Sequence, residues 1–173
     1  EAAYTGDRKA MEAWAWILRE GLVVPRSSEG GYFLSRRGRT IRSAENMQAF
    51  VRGRLFPSEQ LHPRVVEASS ALFSKGQFDL AVFAAFKEVE IAVRDRSGLA
   101  KGLVGERLMR EAFGQRGPMS DPEEEASERD ALAHLFAGAI GRYRNSTGHR
   151  RVELEPAEAA ELLVLASHLL RVV

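Results

Sequence analysis

Apolar residues recur at helical spacing along most of the chain, and one short region near the amino end breaks that spacing. Four of them lie on one face of a helix predicted over residues 8–21: Trp14, Ile17, Leu18 and Leu22. Two short apolar segments, 22–24 and 32–35, then flank the polar residues 25–31. Segments of that length around a polar turn predict two short strands joined in a hairpin.

From about residue 57 the pattern is helical throughout. Apolar stripes predict helices near residues 65–73, 77–96 and 108–113. Residues 121–124 combine a capping Asp121, a first-turn proline and two acids, which predicts the start of a fourth helix that ends near Asn145. Pro156 begins a last helix with apolar residues on nearly all sides, as is typical of a central or interface helix. We therefore predict a mainly α fold with a bundle of about five helices over residues 57–173.

The second predicted strand leads directly into a basic segment. Its sequence, GYFLSRRGRTI, resembles the wing-closing strand of winged-helix modules, and the resemblance implies a partial module with a helical connector over residues 1–56, whose first helices would precede residue 1. Arginine side chains gain affinity for nucleic acids by displacing counterions from phosphates. The segment predicts either a contact with DNA or RNA or a basic face that is solvated or docks a protein. Its arginines are Arg36, Arg37, Arg39 and Arg42.

The charge and composition of the chain exclude several kinds of functional site. The 173 residues carry a formal net charge of +1 and no cysteine, which excludes disulfides, thiolate metal sites and cysteine nucleophiles. The four histidines lack the spacing that puts two ligands on one helical face, so we expect no metal and no cofactor. No apolar stretch approaches the roughly 20 residues that span a bilayer, and no signal peptide is visible. We expect a cytoplasmic protein without a membrane partner.

A cationic segment lies where the fourth bundle helix is predicted to end. Arg144-Asn145-x-x-x-His149 resembles the R-x(4 to 6)-H motif of HEPN-domain ribonucleases, although Ser146 stands where we would expect proline. Residues 60–173 also resemble a Ymh-type bacterial HEPN family in segments such as LFSKGQFDLAVFAAFKEVEIAVRDRSG, GERLMREAF and LFAGAIGRYRN. The resemblance implies a HEPN-like helical bundle. The basic and histidine residues of the segment are Arg142, Arg144, His149, Arg150 and Arg151.

The same spacing occurs a second time, in Arg129 and His134. Residues five apart in a continuous helix point about 140° away from each other, so these two side chains cannot converge. Arg144 and His149 instead lie on either side of a predicted helix end, where Gly148 frees the backbone to turn. We therefore select Arg144 and His149.

Cleavage of RNA without a metal needs a base for the 2′-hydroxyl, an acid for the leaving 5′-oxygen, and cations around the phosphorane. Histidine titrates near neutrality and suits either proton role, and arginine suits the phosphate. We expect Arg144, His149 and Asn145 to be catalytic. The flanking Arg142, Arg150 and Arg151 would hold the RNA strand.

Glu90 lies on a polar stripe of the long second bundle helix. It either approaches the same cleft as an auxiliary group or has a structural role in ion pairs with Lys87 and Arg94.

One histidine cannot act on both sides of one phosphate, so we expect a homodimer that places two motifs across one cleft; the HEPN resemblance implies the same arrangement. The predicted function is a metal-independent endoribonuclease of the toxin or phage-defence type. Its expected partners are RNA and an antitoxin or other defence-system protein. The alternative is a non-catalytic dimeric regulator that binds nucleic acid or a nucleotide.

Overall fold

The fold is taken from a computed structural model, which describes residues 2–27, 30–144 and 153–173. The chain divides into two compact units, Glu1–Phe50 and Val51–Val173. The described residues are mainly helical, as predicted, with one small antiparallel hairpin.

The first unit contains the predicted helix and hairpin. Helix α1 spans Ala2–Arg19 and so begins earlier than predicted, and strands β1 and β2 span Val23–Pro25 and Tyr32–Leu34. In the antiparallel register Val24 lies opposite Phe33. A 3-10 turn, Gly38–Thr40, follows β2. Helix α2, Ala44–Gly53, then crosses the boundary between the units, so the predicted helical connector ends earlier than Pro57.

The second unit contains the five predicted bundle helices within the described residues. They are α3 Pro63–Ser74, α4 Phe78–Ser97, α5 Gly105–Phe113, α6 Ala126–Ala139 and α7 Pro156–Val172. A π-helix, Ile140–Arg144, continues α6 without a break. None of the described helices is both long and apolar enough to cross a membrane.

Helix α4 is the centre of the bundle, because it packs against α3, α5, α7 and the π-helix. That position explains why apolar residues occur around most of its circumference. Phe73 is fully buried at one end of the core. The centroid of its ring lies 5.4 Å from that of Phe56 and 4.9 Å from that of Phe78. The long buried side chains of α4 are Val82, Phe86, Val89 and Val93.

The predicted start of α6 at residues 121–124 is wrong, since the helix begins at Ala126. Asp121 does not cap a helix: its Oδ1 accepts from the backbone N–H of Glu123 at 2.9 Å, which closes a turn. Arg129 holds this turn from within α6, because its Nη1 donates to the backbone oxygens of Asp121 and Pro122. Aspartate is a residue type that caps helices, but here the side chain of Asp121 stabilises the loop before α6.

Gly38 closes the end of the hairpin against β1. It is buried, and its N–H donates to Ser35 Oγ at 3.0 Å. A Cβ atom at this position would lie 2.1 Å from the backbone oxygen of Leu22. That same oxygen accepts the N–H of Ser35 at 3.0 Å, so it cannot move away without breaking the pairing. Only glycine fits this approach of two backbone segments.

Gly38→Ala should therefore destabilise the first unit by about 1–3 kcal/mol, the usual cost of overpacking. Both tryptophans, Trp14 and Trp16, lie in α1, so thermal unfolding followed by tryptophan fluorescence reports on this unit. The reference is the wild-type chain. An unchanged midpoint in Gly38→Ala would contradict the close approach at Gly38.

Candidate functional site

Glu90 is a buried carboxylate in the middle of α4, with only 3% of its surface exposed. Arg94, one turn later on the same helix, donates from Nη2 to Glu90 Oε1. The other oxygen, Oε2, lies 3.0 Å from Nε of Arg144. A charge buried this deeply needs such partners, because an unpaired carboxylate in a protein interior costs several kcal/mol.

A third element reaches the same carboxylate. The N–H of Gly105 donates to Glu90 Oε2 at 3.3 Å, and Gly105 is the first residue of α5. The amino end of a helix carries unsatisfied N–H groups and partial positive charge, so it stabilises an anion. Gly105 has φ = +62°, a backbone conformation that side-chain-bearing residues rarely adopt. Glu90 thus joins α4, α5 and the π-helix.

The π-helix sets the position of Arg144. Its first residue, Ile140, is fully buried, and the ring of Tyr143 lies 5.2 Å from that of Phe86 on α4. Two apolar contacts therefore fix this turn on α4 before Arg144 reaches Glu90. Single π-helical turns within helices are rare and frequently occur at functional sites.

Two guanidinium groups, those of Arg94 and Arg144, share the one carboxylate of Glu90. Arg144 keeps 30% of its side-chain surface accessible, and Arg142 is exposed two residues earlier. Guanidinium groups fixed near solvent favour oxyanions such as phosphates.

The other predicted residues of this segment, Asn145, His149, Arg150 and Arg151, lie outside the described residues.

The matching family model, described as "Protein of unknown function (Hypoth_ymh)", covers residues 59–173. The chain belongs to the Hypoth_ymh family. No curated protein and no solved structure matches it. The matched range contains Glu90 and Arg144 as well as the segment up to His149, so the buried cluster and the motif both lie in the Hypoth_ymh part of the chain.

The ion pairs predicted for the polar stripe of α4, in this Hypoth_ymh region, form only in part. Arg94 pairs with Glu90 as predicted, but Lys87 is exposed and forms no ion pair with Glu90, so that part of the prediction is wrong. The carboxylate oxygens already face Arg94, Arg144 and Gly105.

Arg129 and His134 lie in the continuous helix α6, as the spacing argument requires. Arg129 bonds the loop before α6 and, through Nη2, Gln115 Oε1 at 3.3 Å, while His134 is exposed. These contacts give Arg129 a structural role. Within the ranges described, no cluster of three or more histidine or acidic side chains could hold a metal.

The arginines after β2 belong to the first unit, and each is exposed. Two are held by backbone oxygens: Arg39 Nε donates to Leu34 at 3.3 Å, and Arg42 Nε donates to Arg39 at 3.4 Å. Arg36 and Arg37 are the other two members of the group. All four arginines are accessible to solvent, and their contact with nucleic acid stays a prediction.

Gly105 and Glu106 were not predicted from the sequence. The detectable signal for Gly105 was a glycine that opens a helix without a capping side chain. Glu106 packs over the π-helix, since a Cβ on Gly141 would fall 2.2 Å from its Oε1. No sequence pattern links Glu106 to a glycine 35 positions later.

Glu90→Gln should lower the free energy of unfolding of the second unit by about 3 kcal/mol. This value is at the lower end of the range for breaking a buried ion pair, because the guanidiniums of Arg94 and Arg144 are both partly exposed. Glu88→Gln is the control on the same helix. Glu88 pairs with Arg64 at 2.8 Å, but both side chains are partly exposed, so its loss should cost at most about 1 kcal/mol. Thermal unfolding by far-ultraviolet circular dichroism measures both. Equal losses would show that the Glu90 cluster does not stabilise the bundle.

Proposed function

We propose that the chain is a metal-independent endoribonuclease in which Arg144 and His149 act on a phosphate of RNA. The observation that carries the proposal is the contact between Arg144 Nε and the buried Glu90 Oε2, 3.0 Å apart. A carboxylate fixed on the central helix orients this arginine at the point where the chain enters the segment containing His149. Preorganised charge of this kind is usually the largest contribution to catalysis.

The proposed division of labour follows the chemistry of the side chains. Arg144 stabilises the negative charge of the phosphorane, and His149 transfers protons. Asn145 orients the histidine or donates to a phosphate oxygen. Histidine supplies the proton transfers and arginine supplies the positive charge, so the proposed reaction proceeds without a metal. The flanking Arg142, Arg150 and Arg151 hold the strand.

The reaction needs both a base and an acid, so we propose that two subunits share one cleft. The outer face of α6 supports a pairing surface, because Ala131, Leu135 and Gly138 are all exposed and recur every three or four residues. Leu135 is 44% exposed. This stripe continues to Arg142 on the π-helix. A two-fold axis near its carboxyl end would bring two copies of the motif together.

We further propose that the enzyme is a HEPN ribonuclease of the toxin or phage-defence type, and the R-x(4 to 6)-H motif supports this proposal. Such an enzyme would act in the cytoplasm on RNA, and an antitoxin or another defence-system protein would restrain or trigger it. The partly exposed guanidinium of Arg144 supports an anionic substrate, because a positioned arginine favours oxyanions.

A non-catalytic dimeric regulator that binds nucleic acid or a nucleotide is the second candidate. One observation favours it: Glu90 compensates the charge of Arg144, as it would in a purely structural ion pair. In that case the arginine would anchor the π-helix, and loss of His149 would leave the function unchanged.

Purified protein should cleave RNA in the presence of EDTA and leave 2′,3′-cyclic phosphate or 3′-phosphate ends. Arg144→Ala should lower the rate about 100- to 1,000-fold and His149→Ala about 100- to 10,000-fold, because one removes charge stabilisation and the other proton transfer. Glu90 keeps Arg94 as a partner in Arg144→Ala, which favours correct folding.

The matched controls are His134→Ala and Arg107→Ala, which remove an exposed histidine and an exposed arginine from the same unit. Both should cleave at the wild-type rate. Activity that EDTA abolishes and magnesium restores would contradict the mechanism, as would equal activity in all four variants.

Leu135→Glu should convert a dimer to a monomer and abolish cleavage, because it puts two like charges at the proposed pairing surface. Leu80→Glu is the control, since Leu80 is 45% exposed on a different helix. Light scattering after size exclusion gives the mass, and RNA cleavage is assayed on the same fractions. A monomer that cuts RNA at the full rate would rule out the shared cleft.

A further inference from the structure

Strand β2 presents apolar side chains to solvent on both of its faces, with Tyr32 47%, Phe33 44% and Leu34 53% exposed. Tyr32 and Leu34 point to one side of β2, and the ring of Tyr32 lies 4.9 Å from Trp14 in an edge-on contact. Phe33 points to the opposite side, beside Val24 of β1. It is 44% exposed, and its ring contacts no other aromatic ring among the described residues. An aromatic side chain is thus presented to solvent from a paired strand.

The arginines that follow β2 keep their charge. Among the described residues, no carboxylate forms an ion pair with any of them. Arg39 and Arg42 use Nε on backbone oxygens, which fixes these two side chains without neutralising them. The 3-10 turn at Gly38–Thr40 holds the segment compact, because Thr40 Oγ1 donates to the backbone oxygen of Arg37 at 2.8 Å. We call Phe33 and these four arginines, Arg36, Arg37, Arg39 and Arg42, the hairpin surface.

We propose that the hairpin surface binds single-stranded nucleic acid, with a base stacked on Phe33 and the arginines on the adjacent phosphates. Exposed aromatic rings beside unneutralised cations are the combination that single-strand binding needs. A strand of a duplex keeps its bases stacked on one another, so its base faces are not available to Phe33. This binding site is independent of Arg144 and His149, and it would also exist in a protein that does not cleave RNA.

The test uses the full chain and a fluorescein-labelled oligothymidine of about 20 nucleotides. This DNA has no 2′-hydroxyl, so the proposed cleavage reaction cannot consume it and binding is measured alone. Phe33→Leu should weaken binding about 5- to 150-fold, because stacking on an aromatic ring is lost while an apolar side chain is kept. Phe33→Tyr keeps the ring and should bind as the wild type does.

The arginines are tested by the salt dependence of the same binding. Each phosphate contact contributes about 0.7 to the slope of log affinity against log salt on a single strand, so Arg36→Ala with Arg37→Ala should flatten the slope by about 1.4. Arg107→Ala with Arg116→Ala removes the same charge from exposed positions of the second unit and should leave the slope unchanged.

Three outcomes would overturn the proposal. The first is equal affinity of Phe33→Leu and wild type, which would show that no base stacks on the ring. The second is a duplex of the same length that binds as tightly as the single strand. The third is no binding at low salt, which would identify the hairpin as a protein-docking element. Tryptophan fluorescence from α1 checks that each variant retains the fold of the first unit.

Discussion

The buried carboxylate of Glu90 is the constraint on which the second unit depends. It has almost no access to water, so it is tolerable only while cations and a helix amide surround it. Those partners come from three places: Arg94 on its own helix, Arg144 on the π-helix, and Gly105 at the start of α5. Removing the charge would take away the carboxylate that the guanidiniums of Arg94 and Arg144 share. The carboxylate therefore specifies how these three segments meet.

The same requirement connects stability to the proposed chemistry. Arg144 is the residue for which the motif predicts a catalytic role, and its Nε lies 3.0 Å from a carboxylate on α4, a helix that is packed on several sides. An arginine on a solvated loop would lose rotamer entropy each time it engaged a phosphate. Here part of that entropy is lost on folding. A fixed cation of this kind can serve binding or catalysis.

The repeating pattern of apolar residues was enough to predict the helices and the hairpin, because burial of one face dictates spacing. The spacing of charged residues on the polar stripe of α4 was enough to predict an ion pair of Glu90 with Arg94, which are one helical turn apart. It could not predict the contact of Glu90 with Arg144 or Gly105, since that contact depends on how distant segments pack. The start of α6 was misplaced because Asp121 can cap a helix or close a turn, and local sequence does not distinguish these.

The π-helix makes the length of the segment between α6 and Arg144 as important as its composition. A π-helical turn contains about one residue more than an α-helical turn, because its hydrogen bonds join residues five apart instead of four. Conservative substitutions at these positions leave that spacing intact. A single-residue deletion would let this turn close as an α-helix, with the residues that follow on nearly the same face. A single-residue insertion has no such compensation and would rotate everything that follows by about 100° around the axis. Arg144 would then face away from α4, so an insertion here is far more disruptive than a deletion or an exchange of side chain.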